Sequence, residues 1–125
     1  TICLVGSEMC IRDRSLPVIK KNNIMDFYDW SFKKSLRVSN QGIPEPFTLK
    51  KVFPDVLIVP LVGFDKKKFR LGYGGGFYDR YIFKVLKFKK VVTIGFAFSF
   101  QELQTVPKNK FDQKLDFIIT DKGII

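Results

Sequence analysis

Arg70-Leu71-Gly72-Tyr73-Gly74-Gly75-Gly76-Phe77-Tyr78-Asp79-Arg80 is the stretch from which the rest of the chain can be read. Four of the chain's nine glycines stand between Gly72 and Gly76. Glycine tolerates positive φ and lets another group approach the backbone closely. Upstream, Val56-Leu57-Ile58-Val59 is a continuous apolar run, as expected of a strand buried on both faces, and Pro60 ends it. Downstream, Phe77 to Phe88 has helical spacing. Phe77, Tyr81, Val85 and Phe88 share a face, with Tyr78, Ile82 and Leu86 beside them and Arg80, Lys84 and Lys87 opposite. Val91 to Phe96, rich in β-branched residues, is the next strand. Strand, Gly-rich loop, helix and strand make a βαβ unit, which implies an α/β fold with parallel strands and a right-handed crossover. The loop then lies at the carboxyl edge of the sheet, where such sheets bind ligands.

The loop itself admits two readings. Successive N–H groups in a Gly-rich turn form a concavity for anions, and the helix N-terminus that follows favours phosphate. Arg70 adds a fixed positive charge at the entrance, and Asp79 stands in the first helical turn, where it could hold a divalent cation beside a phosphate. The other reading is a plain tight turn. The spacing is not a dinucleotide fingerprint, which would need glycine where Phe77 stands. It is not a P-loop either, because no Lys-Ser or Lys-Thr follows the last glycine. The chain entropy lost by three consecutive glycines argues for a use.

The wider string is more informative. "RLGYGGGFYDR", preceded by "PDVLIVPLVGFD" and followed by "TIGFAFSFQ" and "DQKLDFIIT", resembles the 5-formyltetrahydrofolate cyclo-ligases, also called 5,10-methenyltetrahydrofolate synthetases. The resemblance runs from about Leu16 to the C-terminus, and "GIPEP" at Gly42 to Pro46 is a further match. It implies a three-layer α/β/α fold with a mostly parallel, Rossmann-like sheet whose N-terminal part is missing here. It implies an ATP- and Mg2+-dependent conversion of 5-formyltetrahydrofolate to 5,10-methenyltetrahydrofolate, with no covalent catalytic residue. Arg70, Leu71, Gly72, Tyr73, Gly74, Gly75, Gly76, Phe77 and Tyr78 match the loop around the ATP phosphates. Tyr73, Gly74, Gly75, Gly76 and Phe77 also touch the folate in that reading. Asp79 and Asp112 match the two magnesium carboxylates, and Asp116 matches an acidic residue that either joins them or braces a strand. Tyr73 and Gly75 occupy places where some members carry Arg and Lys, so fewer fixed charges face the phosphates. The family's N-terminal region, with adenine, phosphate and folate contacts, has no counterpart in Thr1 to Ser15. Those fifteen residues are expected to be a non-native leader, with residues 16–125 the C-terminal portion of one cyclo-ligase domain.

Composition narrows the alternatives. The formal charge of +10 arises mostly from scattered lysines, which form either a solvated surface or a field welcoming polyanions such as ATP and a folate. With fourteen phenylalanines it also raises an RNA-binding module, although no RNP-like motif is present and the patterns bury most aromatics. A related phosphoryl-transfer enzyme acting on another substrate, and an inactive cyclo-ligase fragment, are further alternatives. The chain has no histidine, which removes His-based triads and His/Cys zinc sites and leaves oxygen ligands for any metal. Both cysteines, Cys3 and Cys10, lie in the first ten residues. No transmembrane run or signal peptide is evident, so a cytoplasmic monomer without nucleic-acid or membrane partners is expected.

The remaining expectations are local. Leu16 to Lys20 and Ile24 to Trp30 read as strands joined by a turn at Asn22-Asn23, with Tyr28 and Trp30 as packing residues. Phe32 to Val38 is a weak helix and Ser39 to Phe47 a loop in which Glu45 is either a solvated carboxylate or a ligand. Lys66-Lys67-Lys68 is a solvated turn or a basic flap. Gln101 to Thr105 reads as one helical turn, and Leu115 to Thr120 as the last strand.

Overall fold

The computed structural model describes residues 14–30, 35–40, 42–47 and 50–125. The chain divides into two compact units, Thr1–Asp55 and Val56–Ile125.

In the first unit, β1 (Ser15–Ile19) and β2 (Met25–Asp29) form the expected antiparallel hairpin, and β5 (Lys51–Val52) adds to the other edge of β2. Asn23 takes φ 59° at the turn, a conformation asparagine adopts more readily than most residues. Lys20 N donates to Ile24 O at 2.9 Å and closes the hairpin. Phe27 and Tyr28 are buried in the unit, and Trp30 is half-buried. Asp26 is also buried, between Lys51 Nζ at 3.4 Å and Lys20 Nζ at 3.9 Å, as a carboxylate out of water requires.

The expected helix over Phe32 to Val38 and loop over Ser39 to Phe47 are overturned. Leu36–Val38 is β3 and Pro44–Pro46 is β4, paired antiparallel, while 32–34 lie outside the described residues. A short helix has little stability of its own. The hairpin instead gains a cross-strand ion pair, Arg37 Nε to Glu45 Oε1 at 2.8 Å, between residues directly opposite in register. Ser39 N donates to Ile43 O at 2.9 Å to close the turn.

The second unit is built on a four-stranded sheet of order β11-β10-β9-β6. β6 (Val56–Val59) runs parallel to β9 (Val92–Phe96), and β9 parallel to β10 (Phe117–Thr120). β11 (Gly123–Ile124) returns antiparallel along β10. Helix α1 (Phe77–Val85) lies between β6 and β9 in the chain, so the expected βαβ order is present. Between β6 and α1 the chain also makes a small hairpin, β7 (Gly63–Phe64) with β8 (Arg70–Leu71). Lys66 and Lys67 are exposed in its turn and Lys68 takes φ 70°, so the lysine run is a solvated turn.

Asp65 holds that turn. It is 2% exposed and accepts from Lys67 N at 3.0 Å, Phe69 N at 3.2 Å and Val106 N at 3.1 Å. Burial alone would raise its pKa. The N–H donors of Val106, Phe69 and Lys67, with the charge of Lys108, outweigh burial and hold the carboxyl below the usual range.

The core of this unit includes Leu57, Val59, Tyr81, Ile82, Val85, Leu115 and Ile118. α1 ends at Val85, short of the expected Phe88, because Lys87 N and Phe88 N bond three residues back and tighten the chain out of the helix. Its buried stripe is therefore Tyr81, Ile82 and Val85, while Phe88 is exposed. β6 buries Leu57 and Val59 but leaves Val56 and Ile58 half-buried, so only one face is fully covered. The helical turn expected over Gln101 to Thr105 falls instead at Ser99–Gln101 as a 3₁₀ turn. Gln101 fixes it from its end, accepting from Phe98 N at 2.7 Å through Oε1 and donating to Val62 O at 2.9 Å through Nε2. Most aromatics were expected inside, yet Phe83, Phe88, Phe98, Phe100 and Phe111 are all exposed. Phe98 and Phe100 stack on each other at 5.4 Å.

Gly95 sits where β9 is squeezed from two sides. A Cβ there would lie 2.7 Å from Leu61 Cδ2 and 2.9 Å from Leu115 Cδ1. Gly95→Ala is expected to destabilise the protein by about 1–3 kcal/mol through overpacking, read as a lower denaturant midpoint with unchanged slope.

Candidate functional site

The Gly-rich loop joins β8 to α1. Gly74 at φ 93° and Gly76 at φ 68° both use the left-handed region that favours glycine. Gly76 is also the residue before the helix, and no side chain caps α1 there. Nothing lies within 4 Å of the position a Gly74 Cβ would take, so this part of the backbone is open. Tyr73 beside it is 80% exposed.

A cavity of about 460 Å³ opens on this backbone. Gly74, Gly75 and Gly76 form one side with Asp79, Arg80 and Phe83 from α1. Asn109, Lys110, Phe111, Asp112 and Gln113 form the other. The two carboxylates expected to work together, Asp79 and Asp112, therefore line one cavity although distant in sequence. Asp79 accepts from Arg70 Nη2 at 3.2 Å through Oδ2 and from Gln113 N at 3.1 Å through Oδ1. Asp112 accepts from Asn109 N at 2.9 Å through Oδ2, which leaves Oδ1 available. Two carboxylates lining one cavity, beside a helix start that no side chain caps, are an oxygen donor set suited to a hard cation carrying phosphate. Among the described residues there is no cluster of three or more acidic or cysteine side chains that would make a fuller protein cage. Magnesium usually keeps several waters and needs only one or two carboxylates.

The other expected residues are placed differently. Arg70 is nearly buried, with its guanidinium turned onto Asp79, onto Pro60 O at 3.0 Å and over the Tyr78 ring at 5.7 Å. Leu71 is engaged in the hairpin, its carbonyl accepting from Val62 N at 2.7 Å. Gly72, Tyr73, Phe77 and Tyr78 flank the cavity in sequence but are not among its lining residues. Burial raises the pKa of the Tyr78 hydroxyl, an effect the Arg70 charge opposes. Asp116 is a brace: its Oδ2 accepts from Thr93 N at 2.8 Å and Thr93 Oγ1 at 3.1 Å, tying β10 to β9. Glu45 is buried in its ion pair with Arg37 in the first unit, so it is not a solvated loop carboxylate. Among the described residues, a larger cleft of about 640 Å³ in that unit has Glu45 as its one carboxylate and no Gly-rich backbone.

Arg80, Asn109, Lys110 and Gln113 were missed from the sequence. Helical spacing puts Arg80 on the polar side of the helix, yet Nη1 reaches back to Gly75 O at 2.8 Å. Gln113 had a signal, its place next to Asp112 in "DQKLD". Asp116→Ala should cost about 2 kcal/mol of stability and leave Mn2+ affinity at the wild-type value, measured by denaturation and by EPR titration.

The profile of the 5-formyltetrahydrofolate cyclo-ligase family matches residues 12–121. The chain belongs to the 5-formyltetrahydrofolate cyclo-ligase family. Similar proteins include the 5-formyltetrahydrofolate cyclo-ligase of Mycoplasma pneumoniae, 41% identical over 54% of this chain and 40% of that protein. The probable 5-formyltetrahydrofolate cyclo-ligase of Schizosaccharomyces pombe is 32% identical over 88% of this chain and 62% of its own length. Among solved structures, Aquifex aeolicus 5,10-methenyltetrahydrofolate synthetase superposes with a TM-score of 0.71 at 34% identity, covering 88% of this chain and 56% of that one. The chain thus spans between 40% and 62% of the length of these relatives. The mixed α/β fold is that of the cyclo-ligase structures. No helix among the described residues is long and apolar enough to cross a membrane.

Proposed function

We propose that this chain carries the phosphate- and metal-binding part of an enzyme that converts 5-formyltetrahydrofolate to 5,10-methenyltetrahydrofolate with ATP. The observation that supports it best is the one cavity that Asp79 and Asp112 line together with Gly74, Gly75 and Gly76. In this reading the formyl oxygen attacks the γ-phosphorus and ADP departs. The folate N10 then attacks the activated formyl carbon, phosphate leaves with its oxygen, and N10 loses a proton. An amide-like oxygen is a poor leaving group and a phosphate is a good one. Phosphoryl transfer depends mainly on positioning and charge stabilisation, so no protein nucleophile is required.

The residues have distinct tasks. N–H groups at the start of α1 hold phosphate oxygens, and Tyr73 and Phe77 flank the folate. Asp79 and Asp112 would hold Mg2+, which neutralises phosphate charge when bound. Lys110 lines the same cavity and supplies a positive charge that the loop lacks at Tyr73 and Gly75. A three-layer α/β/α arrangement, a cytoplasmic setting and a monomer acting on small molecules complete the proposal.

The experiment is turnover of 5-formyltetrahydrofolate by the purified chain, followed by the absorbance of the methenyl product, with ATP binding measured in parallel. Product that requires both ATP and Mg2+ supports the reading. ATP consumption that ignores the folate favours a different phosphoryl acceptor. A chain that binds neither ATP nor Mg2+ overturns the site assignment.

A further inference from the structure

Arg70 is a fixed cation at the entrance of the Gly-rich loop, and the obvious role for it is to grip phosphate. The geometry points to another: Arg70 is a positioning residue that sets Asp79, and through Asp79 the segment bearing Asp112, for a divalent cation. This rests on the site reading proposed above.

The Arg70 side chain is only 7% exposed and Asp79 only 17%. Nη1 donates to Pro60 O at 3.0 Å, at the end of β6. Nη2 donates to Asp79 Oδ2 at 3.2 Å, in the first turn of α1. Its backbone is fixed in register opposite Phe64 in the β7–β8 hairpin. Asp79 then accepts from Gln113 N at 3.1 Å through its other oxygen, and Gln113 adjoins Asp112. One guanidinium therefore connects the residue after β6, the helix start and the second carboxylate's segment.

Gly72 leaves room for this placement. A Cβ on Gly72 would lie 2.5 Å from Arg70 Nη1 and 3.3 Å from Cζ. The guanidinium folds back over the Gly72 backbone, into space that only glycine leaves open. Arg70 does not line the cavity. To reach a phosphate there it would have to release Pro60 and Asp79 together and leave the Asp79 charge unpaired in a half-buried place. A planar fork that meets two acceptors at once is also something lysine cannot reproduce.

The test separates metal from nucleotide. ATP affinity is measured in EDTA, and Mn2+ affinity by EPR at saturating ATP, for the wild-type chain, Arg70→Gln, Arg70→Lys, Asp79→Asn and the Arg70→Gln/Asp79→Asn double variant. Positioning predicts that Arg70→Gln leaves metal-free ATP affinity at the wild-type value and weakens Mn2+ binding about 10- to 100-fold. Arg70→Lys should recover part of that loss, and the double variant should bind Mn2+ no more weakly than Asp79→Asn. A direct phosphate role predicts weaker ATP binding in EDTA and additive losses in the double variant, and either result overturns the inference. A ligand-free measurement keeps the inference testable apart from the site reading. The Gln113 amide resonance should move in Arg70→Gln and Arg70→Lys in the same direction as in Asp79→Asn. An unmoved Gln113 amide in well-folded Arg70 variants overturns the positioning role. A wild-type chain that takes up no Mn2+ overturns the site reading instead.

Discussion

Asp79→Asn is expected to lower formation of the methenyl product roughly 100-fold or more, because a lost metal carboxylate removes several kcal/mol of charge stabilisation in phosphoryl transfer. Asp112→Asn should act in the same direction. The two variants should differ in one respect. Asp79 is bonded on both oxygens, to Arg70 and to Gln113, whereas Asp112 holds only its own loop through Asn109. Asp79→Asn therefore also leaves a buried guanidinium without its anion, and its thermal midpoint should fall with its activity. Asp112→Asn should keep a near wild-type midpoint. Product absorbance and a melting curve on each variant suffice. Full activity in both would remove the carboxylates from the mechanism.

Asp65→Ala is expected to destabilise the protein by about 3 kcal/mol, the largest stability effect outside the apolar core, because three N–H groups lose a charged acceptor in a buried place. The pH dependence has a definite sign. The folded-state pKa of Asp65 lies below that of the unfolded chain, about 3.9. Its contribution is therefore fully present above that value and is lost as pH falls through the folded pKa. Acid denaturation of the wild-type chain should show this loss below about pH 4. Asp65→Asn, which cannot ionise, should start lower and lack that component. Denaturant titrations at pH 7 and pH 3 give both numbers.

Long-range order was more legible in the sequence than local detail. The apolar run at Val56 to Val59, the glycines, the helical spacing after Phe77 and the β-branched run at Val91 to Phe96 each carry a periodicity or a composition that only one element satisfies. Their order then implied parallel pairing, which the registers of β6 with β9 and β9 with β10 display. The short pieces had no such signal. β3, β7, β8 and β11 have two or three residues each, too few for a period, and exist through turns and single cross-strand contacts such as Arg37–Glu45. The pairing of Asp79 with Asp112 came from the resemblance, and the structure brings both to one cavity. The placement of the Arg70 side chain had no signal. A sequence shows a charge at a loop entrance but not which way its guanidinium turns, and that depends on the space over Gly72.

The parallel pairing of β6 with β9 also fixes how the chain must fold in time. Val56 meets Val92 across the hairpin, the Gly-rich loop and all of α1. Closing a loop of about 36 residues costs roughly 3 kcal/mol of chain entropy before any of the pairing is gained. The flexible glycines within it offer no local structure to shorten the search. α1 has only nine residues, too few to persist alone in water. Helix and sheet must therefore arise together, in one non-local step. Refolding should be slow for so small a unit, on the order of milliseconds to seconds. During that interval the apolar run of β6 is bare, and rapid dilution from denaturant at low protein concentration is the condition under which the chain should be recovered in highest yield.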